Sequence, residues 1–213
     1  MKFDKSAALL YAVTDRAWVG RQTLGEQIES ALKGGATCIQ LREKKLDDAD
    51  FLAEAIRIRK LCGEYGVPFI INDNVEIAVK CGADGIHVGQ HDMSAEDVRK
   101  LIGEKMILGV SVQTVEQAIE AERASADYLG AGAAFTTTTK LDASAISHEA
   151  FQAICKVVSI PVVAIGGISK DNILELSGSG VDGVALISAI FSADDIEKEC
   201  GELRSLSEKM VNA

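Results

Sequence analysis

The sequence predicts an α/β fold, a (β/α)8 TIM barrel, from three observations. Eight short apolar runs alternate with longer stretches whose apolar residues recur about every 3.6 positions. The short runs are rich in Val, Ile and Leu, without the polar alternation of a sheet that has one wet face, which is typical of a buried parallel sheet. Of the 213 residues 47% are hydrophobic and only 2 are Pro, so a single catalytic domain over residues 1–213 is expected. A doubly wound open sheet is the rival, and eight repeats disfavour it.

The predicted elements follow one another in alternation. The strands are Leu9–Val13, Cys38–Arg42, Phe69–Asn72, Gly85–Val88, Ile107–Val110, Tyr128–Gly130, Val162–Ile165 and Val184–Ile187. The helices between and after them are Thr23–Lys33, Asp48–Tyr65, Val75–Lys80, Ser94–Ile102, Thr114–Arg123, Ser147–Val157, Lys170–Ser177 and Asp194–Val211. Gly82 and Gly180 stand just before strands, where Gly suits the left-handed position that ends a helix.

Charge and cysteine content exclude several classes of function. The net charge is −10 and no run of Lys or Arg is longer than two residues, so neither nucleic acid nor an anionic membrane is an expected partner. The five cysteines lack the spacing of a zinc site or a disulfide framework. With no apolar run of about 20 residues and no signal-like N-terminus, a cytoplasmic location is predicted. The sequence allows a homo-oligomer.

The second strand carries the first candidate binding group, because active sites of such barrels lie at the carboxyl ends of the strands. Along Gln40-Leu41-Arg42-Glu43-Lys44, the strand period of two points Gln40, Arg42 and Lys44 the same way. Two cations and an amide at the barrel mouth predict a phosphate or diphosphate clamp. A surface salt-bridge set that uses Glu43 is the alternative.

Two carboxylates, Asp73 and Asp92, end the adjacent third and fourth strands. Mg²⁺ typically takes one or two carboxylates together with substrate phosphate oxygens, so the pair is a candidate magnesium site. The alternatives are an N-cap of the helix that begins near Val75, for Asp73, and a role in the turn before Ser94, for Asp92. Spacing alone leaves these alternatives open.

A second anion site is predicted on the opposite side of the mouth. Gly166-Gly167 follows strand seven and Ser188 follows strand eight, where barrels of this kind often bind phosphate through backbone N–H groups. The run Thr136–Thr139 and Lys140 add hydroxyls and an ammonium group, although a solvated loop with no special role is an alternative for this run. Among the histidines, His87 is interpreted as packed or bonded to a neighbour, and none has zinc-ligand spacing.

Several segments together resemble the thiamin phosphate synthase family over almost the whole chain. They are Leu10–Asp15, Gln40–Lys44, Ile71–Asp73, Gly82–Asp92, Leu108–Ser111, Ala126–Tyr128, Phe135–Lys140, Ala164–Ile168 and Gly183–Ile190. The sequence departs from the family at several positions, which are Asn74, Ala133, Thr136, Leu141 and Ile146-Ser147-His148. These departures concern the order of the loops and the efficiency of catalysis more than the type of reaction.

The resemblance implies the condensation of 4-amino-2-methyl-5-hydroxymethylpyrimidine diphosphate with 4-methyl-5-(2-hydroxyethyl)thiazole phosphate, giving thiamin phosphate and pyrophosphate. The implied pyrimidine diphosphate ligands are Gln40, Leu41, Arg42, Glu43, Lys44, Asn72, Ser111 and Lys140, of which Arg42, Lys44, Ser111 and Lys140 would be catalytic. Asp73 and Asp92 would hold Mg²⁺. The thiazole phosphate would contact Thr137, Thr138, Thr139, Gly167, Ile187 and Ser188. The resemblance thus favours magnesium over capping.

The implied mechanism is dissociative, with the diphosphate leaving before the thiazole nitrogen attacks, so no protein nucleophile is needed. A related thiazole tautomerase would share the fold and phosphate site without the magnesium pair and diphosphate clamp. A noncatalytic binder of thiamin intermediates and another phosphate-binding isomerase are further alternatives. The last would need a general base, for which only His87 and Glu43 are candidates.

Overall fold

Eight parallel strands close into a barrel in the computed structural model, which describes residues 3–20, 22–136 and 145–213. The strands are β1 (Leu10–Val13), β2 (Cys38–Leu41), β3 (Phe69–Asn72), β4 (Gly85–Val88), β5 (Ile107–Val112), β6 (Tyr128–Gly132), β7 (Val162–Ile165) and β8 (Gly183–Leu186). They pair in chain order, and β8 closes the ring on β1 with Ala185 opposite Tyr11. The predicted TIM barrel is therefore confirmed.

The α-helices of the described residues are α1 (Lys5–Ala8), α2 (Leu24–Lys33), α3 (Asp48–Tyr65), α4 (Val75–Cys81), α5 (Ala95–Ile102), α6 (Val115–Arg123), α7 (His148–Val157), α8 (Ser188–Phe191) and α9 (Ile196–Val211). Many begin at a side-chain cap, as α2 does at Thr23 with a full capping box to Glu26. No helix in the described part of the chain is long and apolar enough to cross a membrane.

Two predicted elements differ from the structure after β7 and β8. The predicted helix Lys170–Ser177 is only a short 3-10 helix, Ile173–Leu176, in which Ile173 and Leu176 are buried and Leu174 is exposed. A spacing of three residues matches the 3-10 period better than the α-helical one. The predicted strand end at Ile187 is instead the N-cap of α8, a helix that the sequence reading did not predict.

The core has two layers, which explains the uninterrupted apolar strands. One layer, including Leu10, Ile39 and Ile71, packs between the sheet and the helices. The other, including Tyr11, Ile70 and Tyr128, fills the inside of the barrel. Both layers bury aliphatic and aromatic side chains completely, so the barrel is a packed core and its ligand site lies above it, at the carboxyl ends of the strands.

Candidate active site

A cavity of about 410 Å³ opens at the carboxyl ends of the strands, as bounded by the described residues. It is lined by residues of several strand ends and of the loops that follow. Nine of the predicted site residues line it, namely Arg42, Lys44, Asn72, Asp73, Asp92, Ser111, Gly167, Ile187 and Ser188. The structure thus brings the predicted clamp, the carboxylate pair and the β7–β8 side into one mouth.

The cationic side of the cavity is made by Arg42 and Lys44, which follow β2. The Arg42 guanidinium Nη1 donates to Asp15 Oδ2 at 3.0 Å, and its backbone N–H donates to Thr14 Oγ1, also at 3.0 Å. Lys44 Nζ lies 2.6 Å from Asp73 Oδ2. Each cation is therefore held by a carboxylate at the mouth, and neither pair is buried, so an incoming diphosphate can compete for both.

Three predicted ligands of the same segment do not bring their side chains to the cavity. Leu41 is fully buried between the sheet and the helices. Gln40 is 5% exposed and donates from Nε2 to Tyr11 Oη at 2.9 Å, inside the barrel. The Glu43 side chain, 2% exposed, forms an ion pair with Arg16. The salt-bridge alternative therefore describes Glu43 correctly, with a buried carboxylate and a partly exposed Arg16, while Arg42 and Lys44 face the mouth.

Glu43 shapes the turn that carries Lys44. Its Oε1 accepts the backbone N–H groups of Lys44 at 2.8 Å and Lys45 at 2.7 Å. Burial alone would raise the pKa of this carboxyl, but the Arg16 hydrogen bond and these N–H donors outweigh it, and the net pKa is lowered. Glu43 is thus an ionised anchor for the loop.

Glu43→Gln is expected to lower the free energy of unfolding at neutral pH by about 2–3 kcal/mol, because Arg16 and the loop N–H groups lose their anionic partner. A carboxyl whose pKa is depressed by folding stabilises the protein fully above its unfolded pKa, here 4.5, and the stabilisation is lost progressively as the pH falls from that value through the lower pKa of the folded state. Urea unfolding at pH 7 and pH 4 should therefore show that the free energies of unfolding of the wild type and Glu43→Gln converge at the lower pH.

Glu54→Gln, which removes the other Arg16 partner, is the matched control. It should lower the free energy of unfolding less, because the Glu54 side chain is 18% exposed. If Glu43→Gln lowers the free energy of unfolding equally at pH 7 and pH 4, Glu43 does not act as an ionised anchor.

The carboxylate pair follows β3 and β4, at the same mouth as Arg42 and Lys44. Asp73 has a positive φ of 63°, a conformation that Asp tolerates better than most residues, and its backbone N–H donates to His87 O at 2.9 Å. Asn74, not Asp73, caps α4, with its side chain accepting from Ile77 N. The capping alternative for Asp73 is therefore wrong. Asp92 does stabilise its turn, since its Oδ2 accepts from Gly89 N at 2.8 Å.

The carboxylate oxygens of Asp73 and Asp92 suit a Mg²⁺ site that is shared with substrate. In both Asp73 and Asp92 the bonds among described residues engage Oδ2, which leaves Oδ1 for another ligand. No cluster of three or more His, Cys, Asp or Glu side chains suited to a metal occurs among the residues with described positions. Two carboxylates without a closed protein cage match the way Mg²⁺ shares its coordination with substrate phosphates and water.

The far side of the cavity combines the end of β7 with the start of α8. Gly167 and Ser188 are exposed at the mouth, and Asn172 Nδ2 holds Gly167 O at 2.9 Å. Among the residues whose positions are described, no side chain caps the N-terminus of α8. The first N–H groups of a helix have no partner within it, so this end of the cavity offers backbone donors to a phosphate, in the position that is common in such barrels.

Gly167→Ala is expected to destabilise the protein and disturb this side of the site. Gly167 has a φ of +68°, and a Cβ there would lie 2.7 Å from Phe135 O and 2.8 Å from Thr136 O. Overlap with backbone and a strained φ together predict a loss of about 2–4 kcal/mol in the free energy of unfolding. Gly178→Ala is the matched control, because Gly178 has a φ of +75° with nothing within 4 Å. If chemical denaturation gives the same loss of unfolding free energy for Gly167→Ala and Gly178→Ala, the positive φ alone accounts for the destabilisation.

Ser111 reaches the cavity from β5 and is backed by a buried side chain. His87 Nε2 lies 2.9 Å from Ser111 Oγ, and His87 Nδ1 lies 3.0 Å from Tyr128 Oη. The interpretation of His87 as bonded to a neighbour is confirmed. A general base would need free access to substrate, whereas His87 is 8% exposed and engaged at both ring nitrogens.

The loop after β6 enters the site but is described only in part. Ala134 N and Phe135 N donate to Ile165 O and Gly166 O at 2.8 and 2.9 Å, which ties this loop to the end of β7. The predicted ligands Thr137, Thr138, Thr139 and Lys140 lie outside the described residues.

Two residues that shape the cationic side have no role among the sequence predictions. Thr14 and Asp15 follow β1 and hold the Arg42 backbone and guanidinium. Their position directly after β1 could have placed them beside Arg42, since β1 and β2 are neighbours in a barrel whose strands pair in chain order. The N-terminus of α8 was also missed, because a helix of four residues is too short to show a helical period.

Comparisons with known proteins agree along nearly the whole chain. The family model described as thiamine monophosphate synthase matches residues 10–190. A thiamine-phosphate synthase of Ruminiclostridium cellulolyticum is 49% identical over 194 residues, covering 91% of this chain and 92% of that protein. One of Clostridioides difficile is 49% identical over 195 residues, covering 92% and 93%. A solved structure, thiamine phosphate pyrophosphorylase from Pyrococcus furiosus, superposes with a TM-score of 0.89 at 40% identity, covering 97% of this chain and 98% of that one.

Proposed function

Because the chain belongs to the thiamine monophosphate synthase family and catalyses the condensation that forms thiamin phosphate, we propose that its barrel mouth binds both substrates side by side and uses Mg²⁺. The protein is a transferase of thiamin biosynthesis that joins the pyrimidine and thiazole units and releases pyrophosphate. The observation that carries the proposal is the single cavity, lined on one side by two cations and two carboxylates and on the other by Gly167 and the start of α8.

On the cationic side, Arg42 and Lys44 bind the diphosphate of the pyrimidine substrate. Both are already oriented by carboxylates, so they meet the substrate with little rearrangement. Asn72 and Ser111 add neutral polar contacts from the same cavity wall. The buried Gln40, Leu41 and Glu43 act indirectly, by fixing the strand end and the turn that present the two cations.

Asp73 and Asp92 would hold Mg²⁺ through Oδ1, the oxygen that accepts no hydrogen bond from a described residue. The metal, when bound, neutralises charge that builds up on the leaving pyrophosphate. Lys44 links the two groups, since its ammonium contacts Asp73 and lies beside the diphosphate position. Asp73, Asp92 and Lys44 therefore orient the leaving group as a unit.

The thiazole phosphate binds at the β7–β8 side. The backbone at Gly167, Ile187 and Ser188 supplies N–H donors there, and the absence of a Cβ at Gly167 lets the anion approach closely. The resemblance to the family assigns the hydroxyls of Thr137, Thr138 and Thr139 to the same phosphate and Lys140 to the diphosphate. The two anions thus anchor opposite ends of the reacting pair.

The chemistry follows a dissociative course in which the chain supplies position and charge. The bond between the pyrimidine methylene carbon and the diphosphate oxygen breaks, its electron pair leaves with pyrophosphate, and the thiazole nitrogen then bonds to that carbon. Arg42, Lys44 and Lys140 stabilise the growing negative charge. No side chain of the described cavity needs to act as a nucleophile. A cytoplasmic location belongs to this proposal, because all five cysteines are unpaired, as in a reducing compartment.

The metal assignment can be tested by calorimetric titration of the purified protein with inorganic pyrophosphate, with Mg²⁺ or with EDTA. We expect pyrophosphate to bind at least tenfold more tightly with Mg²⁺, because a cation held by Asp73 and Asp92 would offset the repulsion between these carboxylates and the anion. In Asp73→Asn, most of the difference in pyrophosphate affinity between Mg²⁺ and EDTA should disappear. In Asp48→Asn, which is the control, this difference should stay as in the wild type. Equal pyrophosphate affinity with Mg²⁺ and with EDTA would refute the magnesium part of the proposal.

A further inference from the structure

A continuous line of five polar side chains crosses the inside of the barrel and ends in the cavity. Gln40 Nε2 lies 2.9 Å from Tyr11 Oη, which lies 2.7 Å from Tyr128 Oη. Tyr128 Oη lies 3.0 Å from His87 Nδ1, and His87 Nε2 lies 2.9 Å from Ser111 Oγ. The line joins β2, β1, β6, β4 and β5, and among its members only Ser111 and His87 line the cavity.

The two tyrosines stay protonated within this line. Tyr11 and Tyr128 are 1% and 0% exposed, and burial raises the pKa of both phenols well above the usual value. Each hydroxyl can therefore donate one hydrogen bond. The barrel also makes room for the second ring, since a Cβ on Gly109 would lie 2.1 Å from Tyr128 Cζ. Buried polar groups are costly unless they are fully bonded, so the order of donors and acceptors along the line matters.

The protons available along the line determine which group donates and which accepts at each hydrogen bond. Tyr11 Oη accepts from the Gln40 amide, so its own proton is available for Tyr128. Tyr128 then donates to His87 Nδ1, and a neutral imidazole that accepts at Nδ1 carries its proton on Nε2. That proton goes to Ser111 Oγ, so the hydroxyl proton of Ser111 is left to point into the cavity.

The reverse direction is less favourable. If His87 Nδ1 carried the proton, Tyr128 would accept it and donate to Tyr11, which already accepts from Gln40. The Tyr11 proton would then be left with the neighbouring Cys38 thiol, and sulfur is a weak acceptor. In the forward direction each of the four hydrogen bonds between Gln40 and Ser111 has an oxygen or nitrogen acceptor, and the Ser111 hydroxyl proton is left for the cavity.

We propose that Tyr128 is a positioning residue that holds His87 in the Nε2–H tautomer and thereby makes Ser111 a hydrogen-bond donor toward the bound pyrimidine diphosphate. Tyr128 does not touch substrate and acts through two intervening groups. The part that concerns substrate rests on the proposed function, which places the pyrimidine diphosphate beside Ser111. The tautomer itself follows from the hydrogen-bonded line alone.

The tautomer can be measured without any substrate. With ¹⁵N-labelled histidine at about pH 8, where an ordinary imidazole is neutral, the protonated and unprotonated ring nitrogens give separate signals in long-range ¹⁵N–¹H correlation spectra. His91→Asn and His148→Asn spectra assign the His87 signals. We expect the Nε2–H form in the wild type and a gain of the Nδ1–H form in Tyr128→Phe.

Tyr11→Phe is the matched control, because it also deletes one buried phenol but leaves Tyr128 able to donate to His87. It should retain the Nε2–H form. An Nδ1–H signal in the wild type, or an unchanged tautomer in Tyr128→Phe, would overturn the proposal. If Tyr128→Phe fails to fold, the wild-type spectrum still tests whether His87 carries its proton on Nε2.

A double-mutant cycle with Ser111→Ala separates positioning from general destabilisation. Tyr128→Phe is expected to lower kcat/KM about tenfold in the wild type, the size of one misdirected hydrogen bond. In the Ser111→Ala protein it should have no further effect, because its target is gone. The same tenfold loss in both backgrounds would overturn the link to Ser111. A protein that makes no thiamin phosphate would refute the proposed function and leave the tautomer measurement valid.

Discussion

Replacing Asp73 or Asp92 by Asn is expected to lower kcat by about 100- to 1000-fold with both substrates and Mg²⁺ saturating. The bond to the diphosphate breaks only if the charge on the leaving group is neutralised, and preorganised charge of this kind typically contributes such factors. Asn is nearly isosteric, so Asp92→Asn keeps the turn contact with Gly89 and Asp73→Asn keeps the left-handed backbone. Steady-state rates of pyrophosphate release measure the effect.

Asp48→Asn provides the matched control for this pair. Asp48 lies exposed in the first turn of α3, outside the proposed metal pair, so its rate should stay within about twofold of the wild type. The variants of the pair should also need more Mg²⁺ for half-maximal rate. A kcat near the wild-type value in both Asp73→Asn and Asp92→Asn would remove the carboxylates from the metal site.

Arg42→Ala is expected to lower kcat/KM for the pyrimidine diphosphate by about 100-fold. The variant loses a charge-assisted, fork-shaped donor that meets the diphosphate. It also removes the guanidinium 3.0 Å from Asp15, so that carboxylate adds an uncompensated negative charge at the mouth. Arg42→Lys keeps the charge without the fork and should recover only part of the loss. Initial rates at varied pyrimidine diphosphate and fixed thiazole phosphate measure both variants.

Arg57→Ala controls for the loss of an arginine as such. Arg57 lies on α3 with its side chain 69% exposed and should leave the rates unchanged. The KM for thiazole phosphate should move little in Arg42→Ala, because that phosphate binds across the cavity near Gly167. A loss in Arg42→Ala confined to the thiazole phosphate KM would mean that the two substrate positions are exchanged.

Much of the fold was predictable because a barrel repeats one simple unit. Strands such as Phe69–Asn72 and Val162–Ile165 were predicted with their observed bounds, since each is an isolated apolar run between polar segments. Once the strands were placed, the mouth followed, because every polar group after a strand end lies on the same side. The grouping of Arg42, Asp73, Asp92 and Gly167 was therefore available from sequence alone.

The direction of individual side chains was harder to predict. The period of two holds only while the chain stays in a strand, and β2 ends at Leu41. Beyond it, Glu43 turns inward to Arg16, whose position after β1 is set by long-range pairing that no local pattern reports. For the same reason, the line through Tyr11 and Tyr128 was not predicted, since its members come from five different strands.

Short elements were missed for a different reason. Helix α8 has only four residues, Ser188–Phe191, too few to show a helical period after the apolar strand β8. Its position nevertheless decides what lies at the thiazole phosphate side of the mouth. A predicted strand that continues into an apolar loop should therefore be examined for a helix start when it is the last strand of a barrel.

Magnesium-dependent synthesis is tested most directly by incubating the purified protein with the pyrimidine diphosphate, the thiazole phosphate and Mg²⁺, and detecting thiamin phosphate by mass spectrometry beside an EDTA control. Thiamin phosphate and pyrophosphate are expected in equal amounts with Mg²⁺, with a rate lowered at least 100-fold in EDTA. No thiamin phosphate, although both ligands bind, would contradict the condensation at this barrel mouth and favour a tautomerase or a noncatalytic binder.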